Sequence, residues 1–143
     1  MIRYLDASAA VLIYVNEEAS FAMRSWFGSV DPGDLALSHW TMTEFASALG
    51  IRVRMGTLSP VEARRTATAF LDMARASLLV LPVLERDFTR AGEIILDFPL
   101  ALRAGDALHL AVASNAGATT LVTLDQRMAR AAGQLGLTCE LPS

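Results

Sequence analysis

The sequence predicts an α/β protein: a three-layer α/β/α sandwich around a mostly parallel central sheet of about five strands. Short apolar runs recur along the chain with room for a helix between each pair, and strands joined in that way are linked by crossovers and lie parallel. The apolar fraction is 53% and the charged fraction only 19%, which excludes a disordered chain and suits a sheet covered on both faces. A chain of 143 residues is expected to form one domain, residues 1–143, and to remove roughly 70% of its unfolded surface from water. It carries no linker, internal repeat or low-complexity stretch.

Each element has a local justification. Residues 2–5 are short and mostly apolar and read as the first strand, which stops at Asp6. Apolar helix formers run from Ala7 to about Asn16, and a second helical stretch from about Glu18 to Phe27. Asp31-Pro32-Gly33-Asp34 has the chemistry of a turn, and residues 35–38 read as the second strand. A helix from about Thr41 to Met55 ends at Gly56, where a left-handed C-terminal position favours glycine. Ser59-Pro60-Val61-Glu62 combines a capping serine, a first-turn proline and a glutamate that reaches back; the helix it opens continues to about Arg75. Residues 78–81 are apolar throughout and are expected to form a third strand covered on both faces. Helical spacing returns over residues 84–96 and closes at Asp97-Phe98-Pro99; another helix spans about 104–115 and ends before Gly117. Residues 119–124 read as the fourth strand, 126–134 as the last helix and 137–141 as a short final strand.

Composition removes several classes of function. No apolar run approaches the roughly 18 residues of a membrane span; the longest, residues 78–84, is broken by Pro82. Residues 7–15 have the composition of a signal-peptide core, but Asp6 precedes them and Asn16-Glu17-Glu18 follows where a small-residue cleavage site would stand. The expected location is the cytoplasm. Cys139 is the sole cysteine, so neither an internal disulfide nor a thiolate metal cluster can form, and it is expected to be a small buried residue of the last strand. Every basic residue is an arginine, which excludes lysine chemistry and leaves planar guanidinium groups for phosphate contacts.

The residues that carry chemistry are four acids at strand-to-helix junctions: Asp6, Glu44, Asp106 and Asp125. In an open parallel sheet those junctions gather along one edge, where such folds bind ligands. Carboxylates brought together repel, and a hard divalent cation offsets the repulsion. Net charge is −3, yet setting these four aside leaves 11 acidic residues against 12 arginines, so the balance does not exclude a polyanionic substrate.

Each acid also has a plain structural explanation. Asp6 and Asp125 suit the N-caps of the helices that follow them, and Asp106 could cap the helix after Gly105. Glu44 fits a capping box opened by Thr41, much as Glu62 does after Ser59. Taken together the metal reading gains weight: neighbouring strands lie about 4.8 Å apart, so acids at their tips can share an ion. Asp106 places one polar group on a face otherwise made of His109, Leu110 and Ala113. An all-oxygen set suits Mg²⁺ or Mn²⁺ rather than Zn²⁺. His39 and His109 have no second histidine at ligand spacing and read as satisfied, partly buried side chains. Trp40 is open to core packing or to stacking on a base. Ser8 and Thr123, two residues from Asp6 and Asp125, can support a carboxylate or make ordinary turn bonds.

Four segments together resemble the PIN-domain ribonucleases, and among them the VapC-type toxins. They are Tyr4-Leu5-Asp6-Ala7-Ser8-Ala9, Ser38-His39-Trp40-Thr41-Met42-Thr43-Glu44, Arg103-Ala104-Gly105-Asp106-Ala107-Leu108-His109-Leu110-Ala111 and Leu121-Val122-Thr123-Leu124-Asp125-Gln126-Arg127-Met128. The resemblance implies a PIN-like fold, one or two Mg²⁺ or Mn²⁺ ions, and endonucleolytic cleavage of RNA. It also implies a homodimer and a cognate VapB-type antitoxin that lays a segment along an apolar groove and blocks the site. By motif position it carries metal-site roles to Asp6, Glu44, Asp106 and Asp125 and supporting hydroxyl roles to Ser8 and Thr123. Where many relatives have a further acid after the last motif aspartate, Gln126, Arg127 and Met128 stand here, which leaves a second ion with fewer ligands. Arg103 and Arg127, beside two of the acids, are the candidate phosphate contacts. Alternatives are a PIN-like module that binds RNA or protein without cutting, and a nuclease acting on DNA. Phosphotransfer folds fit poorly: receiver domains need a lysine, and haloacid-dehalogenase phosphatases want an aspartate where Ser8 stands.

Overall fold

A computed structural model of the protein describes residues 1–142, so Ser143 of the expected domain lies outside the described residues. The elements run β1 (Arg3–Leu5), α1 (Ala7–Tyr14), α2 (Ser20–Ser29), β2 (Leu35–Ser38), α3 (His39–Met55), α4 (Pro60–Ser77), β3 (Leu79–Leu81), α5 (Glu85–Ile95), α6 (Ala104–Asn115), β4 (Thr120–Val122), α7 (Gln126–Gln134) and β5 (Thr138–Glu140). Short 3-10 turns occupy Pro32–Asp34 and Phe98–Leu100. The five strands form one sheet in the order β3-β2-β1-β4-β5, and every pairing is parallel.

Strand order reverses at β1. The chain leaves β1 for β2 and β3 on one side, then returns to β4 and β5 on the other, and the crevice between β1 and β4 is where such sheets bind ligands. Leu5 of β1 is in register with Val122 of β4, which sets Asp6 and Thr123 as the next residues along each strand.

Successive strand residues face opposite sides of the sheet, and two hydrophobic clusters result. Leu5, Leu35, Leu37 and Val122 pack with residues of α1 to α4, including Val11, Met23, Phe45 and Phe70. Tyr4 and Leu121 face the other way, toward Ala91 and Ile94 of α5, Leu110 of α6 and Met128 of α7. Phe45 and Phe70 stack with centroids 3.9 Å apart and clamp α3 to α4. No helix among the described residues is long and apolar enough to cross a membrane.

Several local expectations change. The third strand sits at the sheet edge, so Leu79 is 44% exposed instead of covered. Helix α3 opens at His39, two residues earlier than Thr41, because the capping box is Ser38 with Thr41. That start turns His39 outward, and it is exposed rather than partly buried. The Thr41–Glu44 capping pattern does not form, which frees Glu44 for other work. Cys139 is in the last strand but only half-buried. Glu62 does cap α4 with Ser59, as its pattern predicts.

Candidate active site

Asp6 and Asp125 stand at strand-to-helix junctions as expected, after β1 and β4, whereas Asp106 follows the α5–α6 connection with no strand before it and Glu44 lies one turn inside α3. Asp6 ends β1 and caps α1, taking the Ala9 N–H on Oδ1 at 3.0 Å. Two hydroxyls complete its environment. Ser8 Oγ accepts the Leu124 N–H at 3.1 Å and donates to Asp6 Oδ1 at 2.7 Å. Thr123 Oγ1 accepts the Asp125 N–H at 3.0 Å and donates to Asp6 Oδ2. Because each hydroxyl already accepts a backbone N–H, its proton is directed at Asp6, which is held as a pure acceptor. Burial (2% exposed) opposes that: it raises the Asp6 carboxyl above its ordinary range, while the bonds from Thr123, Ala9 and Ser8 pull it back down.

Asp125 caps α7, accepting the Arg127 N–H at 2.8 Å and the Met128 N–H at 3.2 Å on Oδ1. Its capping role thus leaves Oδ2 free of protein donors. Asp106 does not cap; it lies in the first turn of α6, whose N-cap is Arg103. A helix N-terminus ordinarily favours a carboxylate, but Asp106 is raised from its ordinary value, first by burial and then by the charges of Asp125, Glu44 and Asp6. Glu44, Asp106 and Asp125 line a single cleft.

Glu44 is one turn inside α3 and faces α6. Its Oε2 meets His109 Nε2 at 2.7 Å, and the other imidazole nitrogen meets the buried Tyr4 hydroxyl at 2.8 Å. Tyr4 is pushed well above its ordinary value, chiefly by burial, so its phenol keeps its proton. Space for Glu44 depends on Gly105: a Cβ there would stand 2.6 Å from Glu44 Oε1 and 3.2 Å from the Trp40 ring. Trp40 packs over this point and donates its indole N–H to the Gly105 carbonyl at 3.1 Å, a positioning role neither purely core nor free for stacking.

The resulting cleft has a volume of about 520 Å³ and is lined by Glu44, Asp106, Asp125, Trp40, Arg103 and Arg127 among others. Both arginines are exposed at its rim and neither forms an ion pair among the described residues. Asp6 is buried and does not line the cleft, though its charge is felt at Asp106. Among the described residues, no three His, Cys, Asp or Glu side chains stand close enough to make a ready-formed ion cage. Among the described residues, Asp106, Asp125 Oδ2 and Glu44 Oε1 receive no side-chain or backbone hydrogen bond and face the cleft their residues line. Their chemistry fits a hard divalent cation: every donor is oxygen, and a cation would relieve the repulsion that raises Asp106.

Sequence reasoning missed Tyr4, Gly105 and the bond between His109 and Glu44. His109 at three residues from Asp106 on one helical face was the available signal. Its partner on α3 was invisible without the packing of α3 against α6.

A carboxylate-lined cleft at the switch point of a wholly parallel α/β sheet defines the class of protein. The PIN domain family profile matches residues 3–134, and the chain belongs to the PIN domain family. Its fold is similar to that of Mycobacterium tuberculosis VapC20, described as a sarcin–ricin loop cleaving toxin (TM-score 0.73, 16% identity, covering 90% of this chain and 94% of that one). It is similar too to VapBC2 from Rickettsia felis, solved bound to a DNA fragment from their promoter (TM-score 0.72, 16% identity, 100% of each chain). FitAcB from Neisseria gonorrhoeae has a TM-score of 0.72 at 17% identity over 99% of this chain and 98% of that one. No curated protein matches the chain in sequence.

Proposed function

We propose that the chain is a Mg²⁺- or Mn²⁺-dependent endoribonuclease that acts as the toxin of a type II toxin–antitoxin pair in the cytoplasm. One observation carries this reading: Glu44, Asp106 and Asp125 line one cleft together with Arg103 and Arg127, and neither arginine has an ion-pair partner among the described residues. Negative charge concentrated in that way, beside fixed positive charge, suits a cation that bridges protein and phosphate. When bound, one or two such ions supply Lewis-acid polarisation of the scissile phosphate and acidification of the attacking water.

Asp6, Glu44, Asp106 and Asp125 are the proposed ligands, with Ser8 and Thr123 holding Asp6 oriented. Arg103 and Arg127 would bind backbone phosphates on either side of the cut and fix the register of the strand. Caps on α1 and α7 present helix N-termini to the same edge, a further source of positive potential for phosphate. RNA is favoured as substrate by the sarcin–ricin loop activity of one fold relative.

An antitoxin of the VapB type is the proposed partner, as in the VapBC relatives, and a homodimer is the proposed assembly. A separate groove of about 750 Å³, lined by Tyr14, Val15, Ile51, Met55 and Leu58 with Arg52 and Arg65 beside them, is the proposed seat for an antitoxin segment. Induction of the chain in bacterial cells should arrest growth and generate new RNA 5′ ends at a few sequences, and co-expression of the neighbouring upstream reading frame should restore growth. Unchanged growth with an intact RNA population at high expression would contradict the proposal.

A further inference from the structure

Behind Glu44 runs a buried chain of hydrogen bonds through His109, Tyr4, Ser38 and Thr41. Thr41 Oγ1 accepts the Ser38 N–H at 3.1 Å and donates to the Leu5 carbonyl at 3.3 Å. Ser38 Oγ accepts the Thr41 N–H at 3.3 Å. The Ser38 hydroxyl proton then has Tyr4 Oη, 2.8 Å away, as its near acceptor, since Thr41 Oγ1 is more distant at 3.5 Å. Tyr4 Oη also stands 3.3 Å from Thr41 Oγ1, and His109 Nδ1 at 2.8 Å is its partner on the other side. A carboxylate only accepts, so the 2.7 Å contact is a bond from His109 Nε2–H to Glu44 Oε2. Tyr4 and His109 are 0% and 1% exposed, so water does not compete for these bonds.

We propose that His109, itself held by the buried Tyr4 hydroxyl, is the positioning residue for Glu44, so that Glu44 Oε1 is left as the oxygen available to a cation in the cleft. This role rests on reading the cleft as a metal centre. A buried imidazole N–H on one carboxylate oxygen fixes the orientation of the other, as outer-shell partners of metal ligands do. On the Oε1 side Gly105 leaves room for the carboxylate, since a Cβ there would stand 2.6 Å from that oxygen.

The test uses the full chain, metal-free, with Mn²⁺ alone as probe. Only two histidines are present, one buried and one exposed, so ¹⁵N-resolved imidazole spectra separate them directly. Wild type should show His109 with a proton on Nε2. Tyr4→Phe, which removes the hydroxyl partner of Nδ1 and frees the ring to move, should shift the His109 Nδ1 resonance and weaken Mn²⁺ affinity by roughly ten-fold in calorimetry, within the range for outer-shell losses. His109→Leu should weaken it at least as much, and His109→Gln, whose amide can still donate to Glu44, should recover most of the affinity. Circular dichroism identifies any variant that fails to fold, and Tyr4→Phe, which introduces no new polar group, then decides alone. Normal Mn²⁺ uptake by wild type with unchanged affinity in His109→Leu, or a wild-type spectrum with no proton on Nε2, would overturn the positioning role and leave the metal centre standing. Absence of Mn²⁺ uptake by wild type would overturn the metal centre itself and the role with it.

Discussion

Gly105 is the residue at which packing and chemistry conflict most sharply. Alanine in place of glycine within a helix ordinarily stabilises by about 0.5–1 kcal/mol, because the unfolded chain loses freedom. At position 105 the added methyl would stand 2.6 Å from Glu44 Oε1, and the carboxylate, as the far end of a flexible side chain, would be the group to move. Gly105→Ala is therefore expected to melt at or above the wild-type temperature while cutting RNA roughly a hundred-fold more slowly, the scale of loss for an ångström of misplacement. Thermal melts paired with cleavage rates check this. A variant that loses stability and activity in proportion would mean that the clash is taken up by the backbone instead.

At the scale of elements, helix starts explain both what was readable in the sequence and what was not. Ser59 and Glu62 form a reciprocal box on the surface, with bonds of 3.1 and 3.2 Å, and their spacing alone revealed it. The box that opens α3 was misread by one turn. Ser38-x-x-Thr41 and Thr41-x-x-Glu44 both satisfy the pattern, and only the end of β2 selects the first. Asp87 was not singled out at all: it is buried, takes the Leu84 N–H at 2.8 Å, and receives Asn115 of α6 at 2.8 Å. The bond to Leu84 is a local cap three residues back, but Asn115 lies 28 residues on, and no local pattern signals that second bond. Asp87→Ala should cost about 2–3 kcal/mol by removing two hydrogen bonds to a buried carboxylate, against about 1 kcal/mol for Ser59→Ala at an exposed cap. Urea denaturation of the two variants measures the difference, and equal costs would refute the distinction.

For the whole molecule, strand order made the acids legible and hid the rest. Any parallel α/β arrangement collects strand tips at one edge, so Asp6 and Asp125 could be nominated from their junctions alone, whereas Asp106 follows a helix-to-helix connection. Edge and centre strands could not be told apart, since an apolar run such as residues 78–81 reads the same in either place; hence the error over Leu79. The link from Tyr4 through His109 to Glu44 joins residues 105 and 65 positions apart and exists only because α3 and α6 meet over β1. Function likewise belongs to this scale. Asp6 supplies charge from within the sheet, Asp106 and Asp125 supply it from two helix starts, and the arginines stand at the rim; no single element contains a site.

Cleavage of a structured RNA by the purified chain tests that claim most directly, with wild type and Asp106→Asn compared in Mg²⁺, in Mn²⁺ and in excess chelator. The account predicts cutting by wild type with either ion and none in chelator. It predicts a folded Asp106→Asn protein slower by at least about a hundred-fold, on the order of 3 kcal/mol of transition-state stabilisation. Cutting that persists in chelator, or an Asp106→Asn protein as fast as wild type, would contradict it.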